Sequence, residues 1–167
     1  MKLYSLLFGA ITLTFSYTAL AQQPIVIKFS HVVANDTPKG KAAAKFKELA
    51  EAATKGRVKV EIYPNSQLYK DGDELEALQH GAVHMLAPSV SKFGPMGVRD
   101  FEVFDLPFLF DNAKEADQVL DGKAGTYFSD KLPAVGLVNL AWWENGFRHV
   151  TNSKRPIAKV EDLEGLK

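Results

Sequence analysis

Arg148 closes the run Trp142-Trp143-Glu144-Asn145-Gly146-Phe147-Arg148, which is crowded with large aromatic side chains. A guanidinium set among such rings is partly withdrawn from water and needs an anionic partner. Its planar fork suits a carboxylate, held by two charge-assisted hydrogen bonds. On residue type alone, that carboxylate belongs equally well to a bound ligand or to an Asp or Glu of the chain. Other polar residues gather where strands are expected to end. His31, Asn35 and Lys39 follow the first. Tyr63-Pro64-Asn65-Ser66-Gln67 and Asp71 follow the second, Ser89 and Lys92 the third, and Glu144-Asn145 the fourth. In open α/β sheets ligands bind outside the carboxyl ends of the strands, so these loops predict a polar cleft. Each of them also serves as an ordinary exposed loop.

Chemistry beyond binding finds no support. No Gly-x-Gly-x-x-Gly follows the first strand, no phosphate-cradling Walker loop is present, and Ser89 and Ser91 lack the Gly-x-Ser-x-Gly elbow. The absence of cysteine removes disulfides, thiol nucleophiles and thiolate metal sites. Of the four histidines, His80 and His84 stand four apart, a spacing that holds metals on a helix. Gly81 breaks the helix between them and places His84 on the next strand, so solvated or core roles are expected. No catalytic residue, cofactor or metal is assigned.

The elements that carry these loops alternate. Ile25, Ile27, Phe29 and Val33 recur at strand spacing. Thr37 is a good N-cap and Pro38 fits the first helical position, so a helix is predicted to about Thr54. Its apolar face is Ala42, Phe46, Leu49, Ala50 and Ala53, and Gly56 suits the position after its end. Arg57–Tyr63 alternates as a second strand, making a βαβ unit with a parallel pair. Asp71 or Asp73 caps a short helix bearing Leu75 and Leu78, and Val83–Ala87 is a third strand. Phe101–Phe110 reads as a buried strand or an irregular core segment, which periodicity does not separate. Helices are expected from Asp111-Asn112 to Leu120 and from Lys123 to Leu132. A last good strand is expected over Leu137–Trp143, another beginning at Arg148–Val150, and a short helical turn over Val160–Leu163.

Bulk properties set the class. The chain has 167 residues, 46% apolar and 24% charged, with 20 basic and 20 acidic side chains. That is globular composition, and its neutral balance argues against non-specific nucleic-acid binding. Lys2 is followed by the largely apolar Leu3–Phe15 and then Ala19-Leu20-Ala21. This is the pattern of a secretory signal peptide cut after Ala21. As a membrane anchor the stretch is marginal against the ~20 apolar residues a span needs, and it carries Thr12, Thr14, Ser16 and Thr18. Nothing later is long and apolar enough to span a bilayer.

Several stretches, in order, match one family. They are Lys28-Phe29-Ser30-His31 with Thr37-Pro38-Lys39-Gly40; Gly56-Arg57-Val58-Lys59-Val60 with Tyr63-Pro64-Asn65-Ser66-Gln67-Leu68; Ala87-Pro88-Ser89; Asp105-Leu106-Pro107-Phe108-Leu109-Phe110; and Asn145-Gly146-Phe147-Arg148 with Thr151-Asn152-Ser153 through Asp162-Leu163-Glu164-Gly165-Leu166-Lys167. Together they resemble the solute-binding proteins of tripartite ATP-independent periplasmic (TRAP) transporters, of the dicarboxylate-binding type. The resemblance implies two α/β domains of the periplasmic-binding (type II flytrap) kind, closing by a hinge on an organic acid. It implies delivery to the TRAP permease subunits, a periplasmic location, and a monomer when full length. Residues 1–21 are then the signal peptide, 22–143 domain I without its returning strand, and 144–167 the hinge and start of domain II.

Under the resemblance Arg148 holds the ligand carboxylate, and His31, Lys39, Asp71, Ser89 and Lys92 lie in loops that face the cleft; Asn145, at the end of the fourth expected strand, completes the candidate ligand-binding residues. Family members are about twice as long and place a second ligand arginine beyond Lys167, so the chain reads as truncated. An isolated front part is expected to expose strand edges, to aggregate and to bind poorly. A partial sequence and a broken gene both fit. Two other functions fit the same residues: a sensor partner that presents ligand to a receptor, and, with no motif behind it, a secreted hydrolase using Asp and Glu.

Overall fold

The computed structural model describes residues 23–147 and 149–166. The signal-peptide residues 1–21, their cut after Ala21, and Arg148 lie outside the described residues.

Strand β1 (Ile25–Ser30), helix α1 (Pro38–Ala53) and strand β2 (Val58–Tyr63) form the βαβ unit. β1 and β2 run parallel, from Ile25 opposite Val58 to Ser30 opposite Tyr63. Strand β3 (Met85–Leu86) pairs parallel on the other side of β1, giving the order β2-β1-β3. β1 is therefore central, and Phe29 and Ser30 at its carboxyl end are buried.

β3 is shorter than the expected Val83–Ala87 for a local reason. The backbone N–H of Lys28 donates to the His84 ring at Nδ1 (3.0 Å), while the His84 N–H donates to the Lys28 carbonyl (3.0 Å). An imidazole thus takes the place of a ladder carbonyl at the start of the strand. Pro88, which has no N–H to give, follows at its far end.

α1 starts as its residue types require. Thr37 accepts from the Gly40 N–H through Oγ1 (3.2 Å), and Pro38 occupies the first turn. The buried face differs from the expected stripe. Ala43 is fully buried, packed with Phe46 and Ala50 against Phe29 and Val60, whereas Leu49 is 56% exposed. The smallest residues set this face. A Cβ on Gly40 would lie 2.4 Å from the Ala34 carbonyl oxygen, so the helix presses Gly40 and Ala43 inward where a larger side chain would not fit.

Helix α2 (Glu74–Gln79) follows, with Asp73 at its N-cap position but without a capping side-chain hydrogen bond. Single 3-10 segments cover Val90–Phe93 and Arg99–Asp105, so the strand alternative for Phe101–Phe110 is not realised. α3 (Ala113–Leu120) is capped by Asn112, whose Oδ1 accepts from the Glu115 N–H (3.0 Å). α4 (Lys123–Ser129) ends short of the expected Leu132, and Leu132–Val135 is a separate 3-10 turn holding Pro133. These segments surround a second core of Leu75, Phe93, Val98, Phe101, Phe128, Leu132 and Leu137. Phe101 is its centre, with ring centroids 4.8 Å from Phe93 and 5.0 Å from Phe128. Burying one such ring stabilises by up to about 3 kcal/mol.

Leu137–Trp143 forms no strand, contrary to the sequence expectation. It is held by side chains instead. Leu137 is buried in the second core, the Trp142 ring lies 6.3 Å from Phe101, and Trp143 lies 6.1 Å from Phe29. Alternating apolar residues encode a two-sided extended segment, but a strand also needs a backbone ladder with a neighbour. No described strand supplies one here, and Val138 and Leu140 remain exposed. Of the strand expected from Arg148 to Val150, Arg148 lies outside the described residues, and the described residues on either side of it are in no ladder. The expected helical turn at Val160–Leu163 is a 3-10 turn. The Arg155 guanidinium ties it down by donating to the carbonyls of Asp162 and Glu164. Among the described residues no helix is long and apolar enough to cross a membrane.

Candidate ligand-binding site

The carboxyl ends of β1 and β3, the first turn of α1 and the entry to α2 meet around a polar cluster. Lys39 is placed by the close approach of Gly40 to Ala34 and Asn35, which fixes the start of α1. Its Nζ donates to the Ala87 carbonyl just after β3 (2.9 Å). Burial lowers the Lys39 ammonium from its ordinary value, opposed by the nearby charges of Glu74 and Asp71. Asp71, in the turn before α2, accepts Lys92 Nζ at 2.5 Å. Ser89 Oγ lies 3.2 Å from Ser91 Oγ. The structure thus brings Lys39, Asp71 and Lys92 together, with Ser89 in the same turn as Lys92.

His31 sits differently from a residue lining an open cleft. It is 1% exposed, with the Phe29 ring edge-on at 6.1 Å, and neither ring nitrogen has a hydrogen-bond partner among the described residues. Burial holds it below its ordinary value; the adjacent Val33 backbone opposes this and the Lys39 charge adds to it. Asn145 is exposed. It lines a cleft of about 340 Å³ whose walls are mostly apolar, including Phe29, Phe46, Leu86 and Trp143. Of the predicted site residues that the structure describes, only Lys39 and Asn145 border that cleft. Polar cluster and apolar cleft therefore meet at Lys39. His80 and His84 share no site. His80 lies 3.6 Å from Glu76 on α2, and His84 is engaged with the Lys28 backbone. Among the described residues no group of three His, Cys, Asp or Glu is placed to hold a metal ion.

Glu74 is the residue the sequence reading passed over. It opens α2 and is 1% exposed, and its Oε2 has no hydrogen-bond partner among the described residues. Burial, with Asp71 adding to it, pushes its carboxyl up to about 7, against the opposing charges of Lys39 and Lys92. A signal was available. Glu74, Leu75, Ala77 and Leu78 fall at the spacing of one helix face, and all but the partly buried Leu78 are buried.

The bacterial extracellular solute-binding protein family 7 (DctP) model matches residues 29–167. The C4-dicarboxylate-binding periplasmic protein DctP of Rhodobacter capsulatus is 59% identical over 158 residues, which are 95% of this chain and 47% of that protein. A TRAP periplasmic solute-binding protein from Sulfurospirillum deleyianum, solved with bound succinate, superposes with a TM-score of 0.80. It is 43% identical over 86% of this chain and 46% of its own. The sugar-acid-binding protein DctPAm of Advenella mimigardefordensis, solved with galactonate, gives 0.80 at 42% identity over 84% and 45%. The chain spans about half the length of the curated relatives it matches. The α/β layer is that of the TRAP periplasmic binding proteins, as the resemblance implied. The chain belongs to the bacterial extracellular solute-binding proteins of family 7.

Proposed function

We propose that this chain is the front part of an extracytoplasmic solute-binding protein that captures a small organic mono- or dicarboxylate for a TRAP-type secondary transporter. The observation that carries the reading is the pair of ammonium groups, Lys39 and Lys92, held at the carboxyl ends of parallel strands by an uncharged carbonyl and by Asp71. That is where open α/β sheets take their ligands, and two cations there favour an anion. The relatives named above are described as binding C4-dicarboxylates, succinate and galactonate, which supports acids over neutral solutes. Arg148 supplies the bidentate carboxylate contact in this reading, with Ser89 and Asn145 as neutral hydrogen-bonding groups. His31 supports the end of β1 from behind. Residues 1–21 direct export and are cut after Ala21, residues 22–143 form domain I, and 144–167 lead through the hinge to domain II. The permease subunits of the transporter are the partners.

A thermal-shift screen of small organic acids tests this, on the chain and on any longer form encoded with it. A ligand that binds only the folded state raises the melting temperature by mass action. The expected result is a shift with succinate-like acids that Arg148→Ala abolishes. A neutral sugar that shifts the protein more than every acid does would overturn the carboxylate assignment.

A further inference from the structure

Among the described residues Glu74 is the single carboxylate that the fold buries. A buried carboxylate is normally an anion only where donors or a counter-ion hold it. Here the two neighbouring ammonium groups are engaged elsewhere. Lys39 donates to the Ala87 carbonyl and Lys92 pairs with Asp71. No ion pair or hydrogen bond satisfies Glu74 Oε2 among the described residues. Glu74 is therefore not one half of a structural salt bridge. It is a buried carboxyl group near enough to Asp71, Lys39 and Lys92 to feel their charges.

We propose that Glu74 is a positioning residue that takes up one proton when a ligand carboxylate docks against Lys39 and Lys92, so that capture at this site is proton-linked. The inference rests on the carboxylate-binding reading and adds to it the group that tunes the site. An arriving anion brings a second negative charge toward a carboxylate already crowded by Asp71, and like charges at close quarters drive one of them to protonate. Once neutral, Glu74 no longer draws on the two ammonium charges, which then face the ligand undivided. The charged and titratable groups around Glu74 come from four elements: Asp71 before α2, Lys39 on α1, Lys92 after β3, and His31, which faces Lys39, at the end of β1. Glu74, raised by burial to about 7, is half-ionised near neutrality. His31, held below 6.5, stays neutral there. Glu74 is therefore the carboxyl group placed to exchange a proton between pH 7 and 8.5, and Glu74→Gln separates it from Lys39, whose ammonium burial lowers from its ordinary value.

The test is isothermal titration of the protein with succinate, L-malate and galactonate, in buffers of different ionisation enthalpy, from pH 7.0 to 8.5. The expected result is proton uptake on binding and a Kd that weakens by up to about tenfold per pH unit over this range. Glu74→Gln copies the protonated form. It is expected to flatten the pH dependence and to bind more tightly than the wild type at pH 8.5, a gain that loss of a merely structural group does not produce. Carboxyl-13C NMR of the ligand-free wild type, which needs no variant to fold, is expected to show one glutamate titrating near 7. Binding without proton uptake overturns the proposal, as does uptake that persists in Glu74→Gln, which assigns the proton to another group. If none of the three acids binds while the glutamate still titrates near 7, the carboxylate reading fails and this inference with it. If an acid binds and every glutamate titrates at its ordinary value, this inference alone fails.

Discussion

The two apolar cores of this chain are built by different means and serve different ends. The sheet core, Phe29, Ala43 and Val60, is small and tied by a parallel ladder. At the carboxyl end of β1 and just past it lie buried polar groups, Ser30 and His31, and Glu74 is buried at the entry to α2. The second core is larger and aromatic, draws none of its fully buried residues from a strand, and holds no buried charged side chain among the described residues. Its rings pack at tilted angles around Phe101. The contrast sets a purely apolar core against one with buried polar groups at its edge. Apolar burial without polar groups is favourable everywhere, whereas buried polar groups left without partners are costly and mark where a protein does something besides fold.

The strongest way to break this division is Phe101→Ala. Removing a fully buried ring from the aromatic core is expected to cost about 3–5 kcal/mol in denaturant unfolding. If the division holds, whatever population stays folded keeps the wild-type Kd for acids. An affinity loss as large as the stability loss would join the two cores into one unit.

Next comes Glu74→Gln, which tests the polar side through stability rather than binding. Glu74 has its folded pKa raised from 4.5 to about 7. Its contribution is fully present below pH 4.5 and is lost as pH rises through 7. The variant is therefore expected to match the wild type near pH 4.5 and to be more stable at pH 8, by at most about 3 kcal/mol. Melting curves at the two pH values decide. His31 works in the other sense. Its folded pKa is lowered below 6.5, so the unfolded chain takes the proton first and stability falls as pH drops below 6.5. With Glu74 removed, this acid-side loss should persist.

Gly40→Ala probes the joint between core and site. Its new Cβ would meet the Ala34 carbonyl oxygen at 2.4 Å. A cost of about 1–3 kcal/mol is expected, together with weaker acid binding, because the start of α1 carries Lys39. A stability loss with unchanged affinity would show that Lys39 does not depend on that contact. The smallest expected effect is Thr37→Ala, which removes the cap of α1 for about 1 kcal/mol in urea unfolding.

Legibility in the sequence followed the same division. The sheet side rests on local rules, and those were readable: the alternation of Ile25, Ile27 and Phe29, the Thr37-Pro38 helix start, and the alternation of Val58, Val60 and Ile62. The cap at Asn112 was equally plain. On the aromatic side the Phe and Leu positions were visible, but not whether Phe101–Phe110 would run as strand or turn. A continuous apolar run lacks a period that selects one. Lys39, Asp71, Ser89 and Lys92 were expected near one another from loop position, and the structure brings them together, while the burial of Glu74 beside them was not legible because a glutamate on a short helix is expected to face water.

What the sequence determined by itself is therefore the βαβ frame, its caps and the loops at its carboxyl edge, because each depends on neighbours within a few residues. Only the tertiary structure decided that α1 buries Ala43 and leaves Leu49 in solvent, that Leu137–Trp143 is held by its side chains without a ladder, and that Glu74 lies buried among Lys39, Asp71 and Lys92. Those outcomes depend on which distant segment comes to lie alongside, and no spacing within one segment carries that information.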